Sequence, residues 1–556
     1  MQKNTFLLLL AACVGIYLVG SFRIPLMDID AAQYASISRE MLERNSFLQI
    51  FDLGKDYLDK PPMLFWLSAL SMKIFGVHDW AYRLPSLLFL GVALYATFKF
   101  AQLYYSTQTA RLATIILASC QAFFLIAHDV RTDTMLVGWV MLTIYLLAKW
   151  AEGGSKNNNN TYFFIGIVAI AGGMMTKGPI ALVVPVLALA PYWISQKKWD
   201  YFYKPIYIPG ILLLAVLLFP MSWGLYQQYD LHPGKIINER PIRSGLEFYY
   251  WTQSFGRYTG ENAYKEMGYF TFLLENMFWS FLPWIFVFLW ALFAKAFAIV
   301  KEGVFNPSAE RISFFGFALT YLVLSRSQAQ LPHYIFVVFP LAAIVTASHW
   351  EKVLWNNNAV SKSVKVFYGF HLFIFSVLVI AAGMIAWVPF GKIGWVGVLG
   401  IAAFLIMIAQ FVSKKTMGQK WFYISVVLML GVNVFMNTHF YPNLLKYQWG
   451  NQLVQVIKKK GWNEDKMILY KIPNSNALHF YGQHIFSNTK DSLQLKAGDW
   501  VITDAVNDSS LRVQFPASIQ HYKSNRYHVT MLSLPFLNPS TRQNELTLFE
   551  LIELKK

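Results

Sequence analysis

The sequence predicts an all-α polytopic membrane protein that carries a small α/β domain at its C-terminal end. Three observations support this. The first is composition: of 556 residues, 56% are hydrophobic and only 14% are charged, whereas an ordinary soluble domain is about 25% charged. Mean hydropathy is +0.39. The second is a series of apolar runs of the length needed to cross a bilayer, about 20 residues each. The third is a change of character near residue 441, beyond which the chain has an ordinary soluble composition.

Taken in order, the apolar runs number about 13. They fall at 5–22, 82–104, 111–128, 133–150, 161–176, 178–195, 206–225, 271–294, 312–326, 332–349, 366–388, 394–412 and 421–440. The first has the outline of a signal peptide, but no small-x-small cleavage site precedes a soluble start, so we read a retained span. Short basic loops at Lys149 to Lys156, Lys197 to Lys204, Lys295 to Arg311, Lys352 to Lys365 and Lys414 to Lys420 alternate with connections poor in Lys and Arg. The positive-inside rule assigns those loops to the cytoplasm and, with an odd span count, the tail to the outside.

The net charge of +17 is scattered over these loops. It therefore points to anionic membrane lipid and not to nucleic acid. The two cysteines, Cys13 and Cys120, both sit in apolar runs. They make neither a disulfide framework nor a metal cluster.

Two domains follow: a membrane part at 1–440 and an outer α/β part at 441–556. In the latter, QWGNQLVQVIKKKG has helical apolar spacing and a Gly stop. KMILYKI, DWVITDAV and HVTMLSL read as strands.

The chemistry gathers on the outer face. Asp28, Asp30, Asp59 and Lys60 lie in the first outer loop, and Asp129, Arg131 and Asp133 in the second. Lys177 lies in TKGP. Arg240, Arg243, Arg257 and Glu261 lie in the long loop 226–270, and SRSQAQLPHY precedes the tenth run. Ionisable residues at a membrane boundary are costly unless used, so a site is expected there. Tyr34, Ile37, Met41 and Leu42 have helical spacing, which predicts an interfacial helix with Asp30 as its N-cap. DKPPMLFWLSALSMKIFG predicts a second, opened by proline.

DIDAAQYASISREML, YLDKPPMLFWL, WAYRLPSLL, RTDTML, TKGP, LPW (282–284) and QLPHYIFVVFPLAA occur in this order. Together they resemble the bacterial GT-C glycosyltransferases of the ArnT type and the wider dolichyl-phosphate-mannose-protein mannosyltransferase-like group. The resemblance implies a sugar donor on a polyprenyl phosphate, undecaprenyl phosphate above all, and transfer with inversion outside the cytoplasm of a bacterial cell membrane. The acceptor would be lipid A, a protein or a glycan.

By the same resemblance, Asp30 matches the essential first-loop aspartate, Asp133 the second acidic position, and Lys60 the lysine of the (E/D)KPP element. Two departures stand out. The family's Asp-Glu pair is here Asp30-Ala31. QLPHY replaces the KLPTY of the lipid A enzymes, so Gln330 stands where they have a cation. Some enzymes of the ArnT type bind a metal partly through histidines in the long outer loop; here YYWTQSFGRYTGENAY offers Gln253, Ser254 and Asn262. We expect no metal and no cofactor.

Each assignment competes with a structural one. Asp30 and Asp133 are expected as the catalytic carboxylates, because an acceptor hydroxyl needs a base in the transition state. As a plain N-cap, Asp30 would contribute only about 1 kcal/mol. Asp133 would complement a helix dipole. Lys60, Arg257 and Lys177 are expected to hold the donor phosphate, whose developing charge a fixed cation stabilises. The alternative for the lysines is snorkelling to the interface. Asp59, His333 and Tyr334 are expected to line the substrate cavity. Gln448 and Gly450, in YQWG, read as structural. A rival function is a transporter or flippase for a lipid-linked sugar, which would require internal repeats and ionisable residues at the midplane. The sequence has neither.

Overall fold

The computed structural model describes residues 1–556 except 154–159, 238–239, 260, 262–267, 306–309, 356–360 and 392–414. Every predicted apolar run but one falls on helix. The exception, 394–412, lies outside the described residues. Among those described, six helices are long and apolar enough to span a membrane, or seven if one bent pair counts as a single span. Others are too short to be counted on length, such as Ile312–Ser325 at 14 residues. Fourteen residues of α-helix rise only about 21 Å. The chain is thus a multi-pass membrane protein.

The first ten helices position the site. They are α1 (Lys3–Arg23), α2 (Asp30–Glu43), α3 (Met63–Phe75), α4 (Asp79–Tyr104), α5 (Thr107–Ala118), α6 (Gln121–His128), α7 (Thr132–Glu152), α8 (Asn160–Lys177), α9 (Ile180–Ser195) and α10 (Tyr207–Leu225). The run at 111–128 is the bent pair α5 and α6, broken by 55°.

Helix α7 is the centre of the bundle and packs against α4, α8 and α9. Gly138 permits the closest of these approaches: a Cβ there would sit 2.5 Å from the Phe89 carbonyl oxygen.

The two interfacial helices form as expected. Helix α2 buries Tyr34, Ile37 and Met41 of the predicted stripe, but it also buries Ser36, Ser38, Arg39 and Glu40, so it is enclosed on nearly every side, while Leu42 is only half-buried. Helix α3 begins after Pro62 and stops at Gly76, whose φ of 87° suits glycine alone.

Arg83 fastens this end of the bundle and is fully buried. Its guanidinium donates to the carbonyls of Ser21 (2.6 Å), Ile24 (2.7 Å), Pro25 (3.2 Å) and His128 (2.8 Å). The ends of α1 and α6 are thereby joined to α4, and every donor but one N–H direction is satisfied by backbone. A buried guanidinium without such partners would be strongly destabilising.

Two small hairpins, β1 (Phe51–Asp52) with β2 (Lys55–Asp56) and β3 (Ile236–Ile237) with β4 (Arg240–Pro241), lie in the connections that follow α2 and α10. The tail holds a five-stranded sheet of β5 (Met467–Tyr470), β6 (Ser487–Thr489), β7 (Trp500–Asp504), β8 (Ile519–Arg526) and β9 (Thr547–Glu553), in the order β6-β5-β7-β9-β8. KMILYKI and DWVITDAV supply β5 and β7, and helix Trp449–Lys460 ends at the left-handed Gly461 as expected.

HVTMLSL is not a strand. The Tyr527 hydroxyl donates to the Met531 carbonyl and accepts from the Ser533 N–H, which closes the segment into a turn. Ser533 then caps the short helix Leu534–Leu537. The sheet draws its last two strands instead from β8 and β9.

Candidate active site

A cavity of about 540 Å³ opens where the N-terminal ends of α2 and α7, the α8–α9 junction, residues 253–255 and residues 323–337 meet. Asp30, Asp59, Lys60, Asp133, Lys177, His333 and Tyr334 all line it. Its other wall is apolar and includes Ile180, Val183, Leu324 and Val337. Arg257 lies in a short helix, Gly256–Thr259; its side chain and Asn262 fall outside the described residues.

Asp30 is the first residue of α2, and the N-cap is Ile29, which makes no side-chain cap bond. The expected capping role is therefore corrected by one residue. Its carboxylate instead accepts from Arg131 Nη1 at 2.6 Å. Arg131 Nε donates in turn to Asp129 Oδ2 at 3.1 Å. The Asp30 side chain is 34% exposed and that of Asp129 only 10%. Asp30 therefore faces the cavity, and Asp129 stands behind the arginine.

A second cluster lines the same cavity. Asp133, in the first turn of α7, pairs with Lys177, and His333 Nε2 lies 3.5 Å from its other oxygen. The Lys177 ammonium also lies 4.3 Å over the Tyr334 ring, a favourable cation–π placement. Lys177 is thus already neutralised. Lys60 differs: it makes no ion pair or hydrogen bond with a described residue.

Gln253 Nε2 donates to the Asp59 carbonyl at 2.8 Å and ties the long loop over the first one. Gln330 is buried, and its Nε2 donates to the carbonyls of Ser325 and Ser327, each at 3.0 Å. Gln330 is thus folded onto its own loop.

An adjoining cavity of about 800 Å³ shares Gln33 and Asp59 with the first and is lined by Asp52, Asp56 and Lys235. Asp52 accepts from Gln33 Nε2 at 2.7 Å. Burial pushes its carboxyl up to about 6. Asp56 pairs with Lys235 at 2.8 Å. Among the described residues, no group of three His, Cys, Asp or Glu side chains is placed to hold a metal ion.

Sequence reasoning assigned no role to Arg131 or Gln33. Arg131 did carry a signal. It immediately precedes a helix, where the positive dipole end repels a cation. An arginine there needs carboxylates to hold it, and RTD with DID supplies them.

The arrangement offers one exposed carboxylate beside a guanidinium, an ammonium with no described partner, and an apolar wall. Such a cavity suits an amphiphile with an anionic headgroup.

The fold is similar to that of membrane glycosyltransferases of the GT-C class. A family model described as dolichyl-phosphate-mannose-protein mannosyltransferase matches residues 59–223. The undecaprenyl phosphate-alpha-4-amino-4-deoxy-L-arabinose arabinosyl transferase of Serratia proteamaculans is 27% identical over 439 residues, covering 75% of this chain and 73% of that protein. Its namesake in Aeromonas hydrophila is 27% identical over 273 residues, 48% of this chain and 47% of that protein. The crystal structure of ArnT from Cupriavidus metallidurans bound to undecaprenyl phosphate matches with a TM-score of 0.73 at 16% identity, over 99% of this chain and 98% of that one. The oligosaccharyltransferase of Archaeoglobus fulgidus matches with a TM-score of 0.51 at 10% identity, over 93% and 70%. The chain has the ArnT-like GT-C fold.

Proposed function

We propose that the protein transfers a sugar from undecaprenyl phosphate to an acceptor hydroxyl at the periplasmic face of a bacterial inner membrane. The observation that carries this reading is the convergence of Asp30, Lys60 and Arg131 on one cavity with an apolar wall. The relatives' names support undecaprenyl phosphate as the carrier. Gln330, an uncharged side chain turned onto its own loop, favours an acceptor hydroxyl over a phosphate.

In this mechanism the carrier phosphate rests against Lys60 and Arg131, and Arg257 adds to the cationic side. Asp30 takes the proton of the acceptor hydroxyl as its oxygen attacks the anomeric carbon. The bond from that carbon to the phosphate oxygen breaks, and its electron pair leaves with the phosphate. Attack from the opposite face inverts the anomeric centre. Lys60 and Arg131 stabilise the charge that develops on the leaving group. The Asp133–Lys177–His333 cluster and Asp59 hold the polar face of the sugar, and Tyr334 packs beside it. The catalytic unit spans 1–440, with the tail 441–556 on the same outer side.

The test uses purified protein in lipid nanodiscs with a panel of undecaprenyl-phosphate sugars, beginning with 4-amino-4-deoxy-L-arabinose. Mass spectrometry reads transfer or hydrolysis. We expect turnover of one donor and a loss of at least about 100-fold in Asp30→Asn, the range for a general base. Binding of every donor without cleavage would overturn the reading and favour a transporter.

A further inference from the structure

The segment that leads into Asp30 is held by the soluble tail. Residues 24–29 join α1 to α2, and four tail residues grip their backbone and the Asp28 side chain. The Leu26 N–H donates to the Tyr481 hydroxyl at 2.7 Å, and the Leu26 carbonyl accepts from Gln448 Nε2 at 2.8 Å. The Asp28 N–H donates to Gln448 Oε1 at 2.8 Å. The Asp28 carboxylate completes the grip: Oδ2 accepts from Ser475 Oγ at 2.6 Å and Oδ1 from the Ala477 N–H at 2.9 Å.

The helix so capped, Asn476–Gly482, lies directly on α2. Ala477 and Phe480 are buried in one cluster with Ala31, Ala32 and Ala35. Gly450 allows the close approach behind it, since a Cβ there would lie 2.4 Å from Ser475 Oγ. Both residues of YQWG that read as structural in the sequence thus serve this one contact. Burial raises the Asp28 carboxyl above its usual range, opposed by the bonds from Ser475 and Ala477. The carboxyl group is held by the Ser475 hydroxyl and the Ala477 N–H.

We propose that Asp28 is a positioning residue for Asp30, and that the tail acts on the reaction through it. This rests on Asp30 as the base. Asp28 stands two residues before Asp30, at the turn that sets where α2 begins. A base must stay within hydrogen-bond reach of the proton it takes. A displacement of about 1 Å costs on the order of 100-fold in rate. A tail that only anchored the domain would act on stability and leave turnover per folded molecule alone.

The experiment uses the full chain in nanodiscs with the donor that turns over in the panel. It reads kcat, KM and, separately, affinity for undecaprenyl phosphate. We expect Asp28→Ala to lower kcat by at least about 10-fold, with KM and undecaprenyl-phosphate affinity within about two-fold of wild type. Asp28→Asn, which keeps an acceptor for the Ala477 N–H, should fall between. On an Asp30→Asn background, Asp28→Ala should cause no further loss.

If Asp28→Ala fails to fold, Gln448→Leu tests the same grip through the Leu26 and Asp28 backbone, and the same drop in kcat is expected. Unchanged kcat per folded molecule overturns the proposal. So does an equal loss on the Asp30→Asn background, or a parallel fall in kcat and phosphate affinity. Full activity in Asp30→Asn alone would instead overturn the assignment of the base, and this proposal with it.

Discussion

Two charged clusters are built into the helix bundle, at opposite ends of the helix Ile312–Ser325, and they differ in one respect. At the end near its first residue, Lys295 donates to Glu310 (2.8 Å), Tyr105 (2.9 Å) and Ser313 (3.2 Å). Glu310 also accepts from the Tyr105 hydroxyl, the Ser313 hydroxyl and the Ser313 N–H. All three ammonium protons have partners, and both carboxylate oxygens are occupied. At the other end, Asp30 shares one oxygen with Arg131 and keeps a third of its side chain exposed. Lys60 has no described partner. Charge inside a membrane protein therefore does not identify a site by itself. A saturated network holds the fold, and one with spare capacity beside a cavity awaits a ligand.

The largest effect that separates the two is on stability. Glu310→Ala leaves Lys295 buried and unpaired, and we expect a loss of about 3–5 kcal/mol, read by chemical or thermal unfolding in detergent. Affinity for undecaprenyl phosphate per folded molecule should not change. Lys60→Ala should do the reverse: unfolding within about 0.5 kcal/mol of wild type, and undecaprenyl-phosphate binding weaker by about 10-fold. If Lys60→Ala destabilised the protein and left binding intact, the distinction would collapse.

A further effect concerns pH. The Asp52 carboxyl is pushed up to about 6 by burial, so the folded chain holds its proton where the unfolded chain has released it. Its contribution is fully present below about pH 4 and is lost as pH rises to about 6, by at most about 3 kcal/mol. Asp52→Asn should remove that slope from the thermal midpoint. A wild-type midpoint flat between those values would show that the Asp52 pocket is wetter than its burial implies.

Much of the architecture was legible because bilayer physics acts on single segments. A run of 20 apolar residues must be satisfied by its own backbone, so the helices could be read one by one. The interfacial helices were legible for the same reason: Tyr34, Ile37 and Met41 repeat on one face. Where pairing decides, the reading failed. HVTMLSL alternates like a strand, but the Tyr527 hydroxyl bonds to Met531 and Ser533 turn it, and nothing local announces that. The candidate site divides likewise. Asp30, Lys60 and Asp133 stood out as charges beside apolar runs. That Lys177 would be neutralised by Asp133, or that Asp30 would bond to Arg131 and not cap its own helix, depends on contacts 44 and 101 residues apart in sequence.

Arg83 has a consequence for how mutations are tolerated. It joins α1, α4 and α6 through four carbonyl oxygens and no side chain. A carbonyl is present whatever amino acid occupies the position. Residues 21, 24 and 128 can therefore vary without removing an acceptor, and Pro25 offers its carbonyl like any other residue. The burden of the joint falls on a single codon. Substitutions around this clasp are limited by packing and not by loss of an acceptor, while at position 83 even lysine, a point charge with three donors and no planar fork, cannot reach the same set of acceptors.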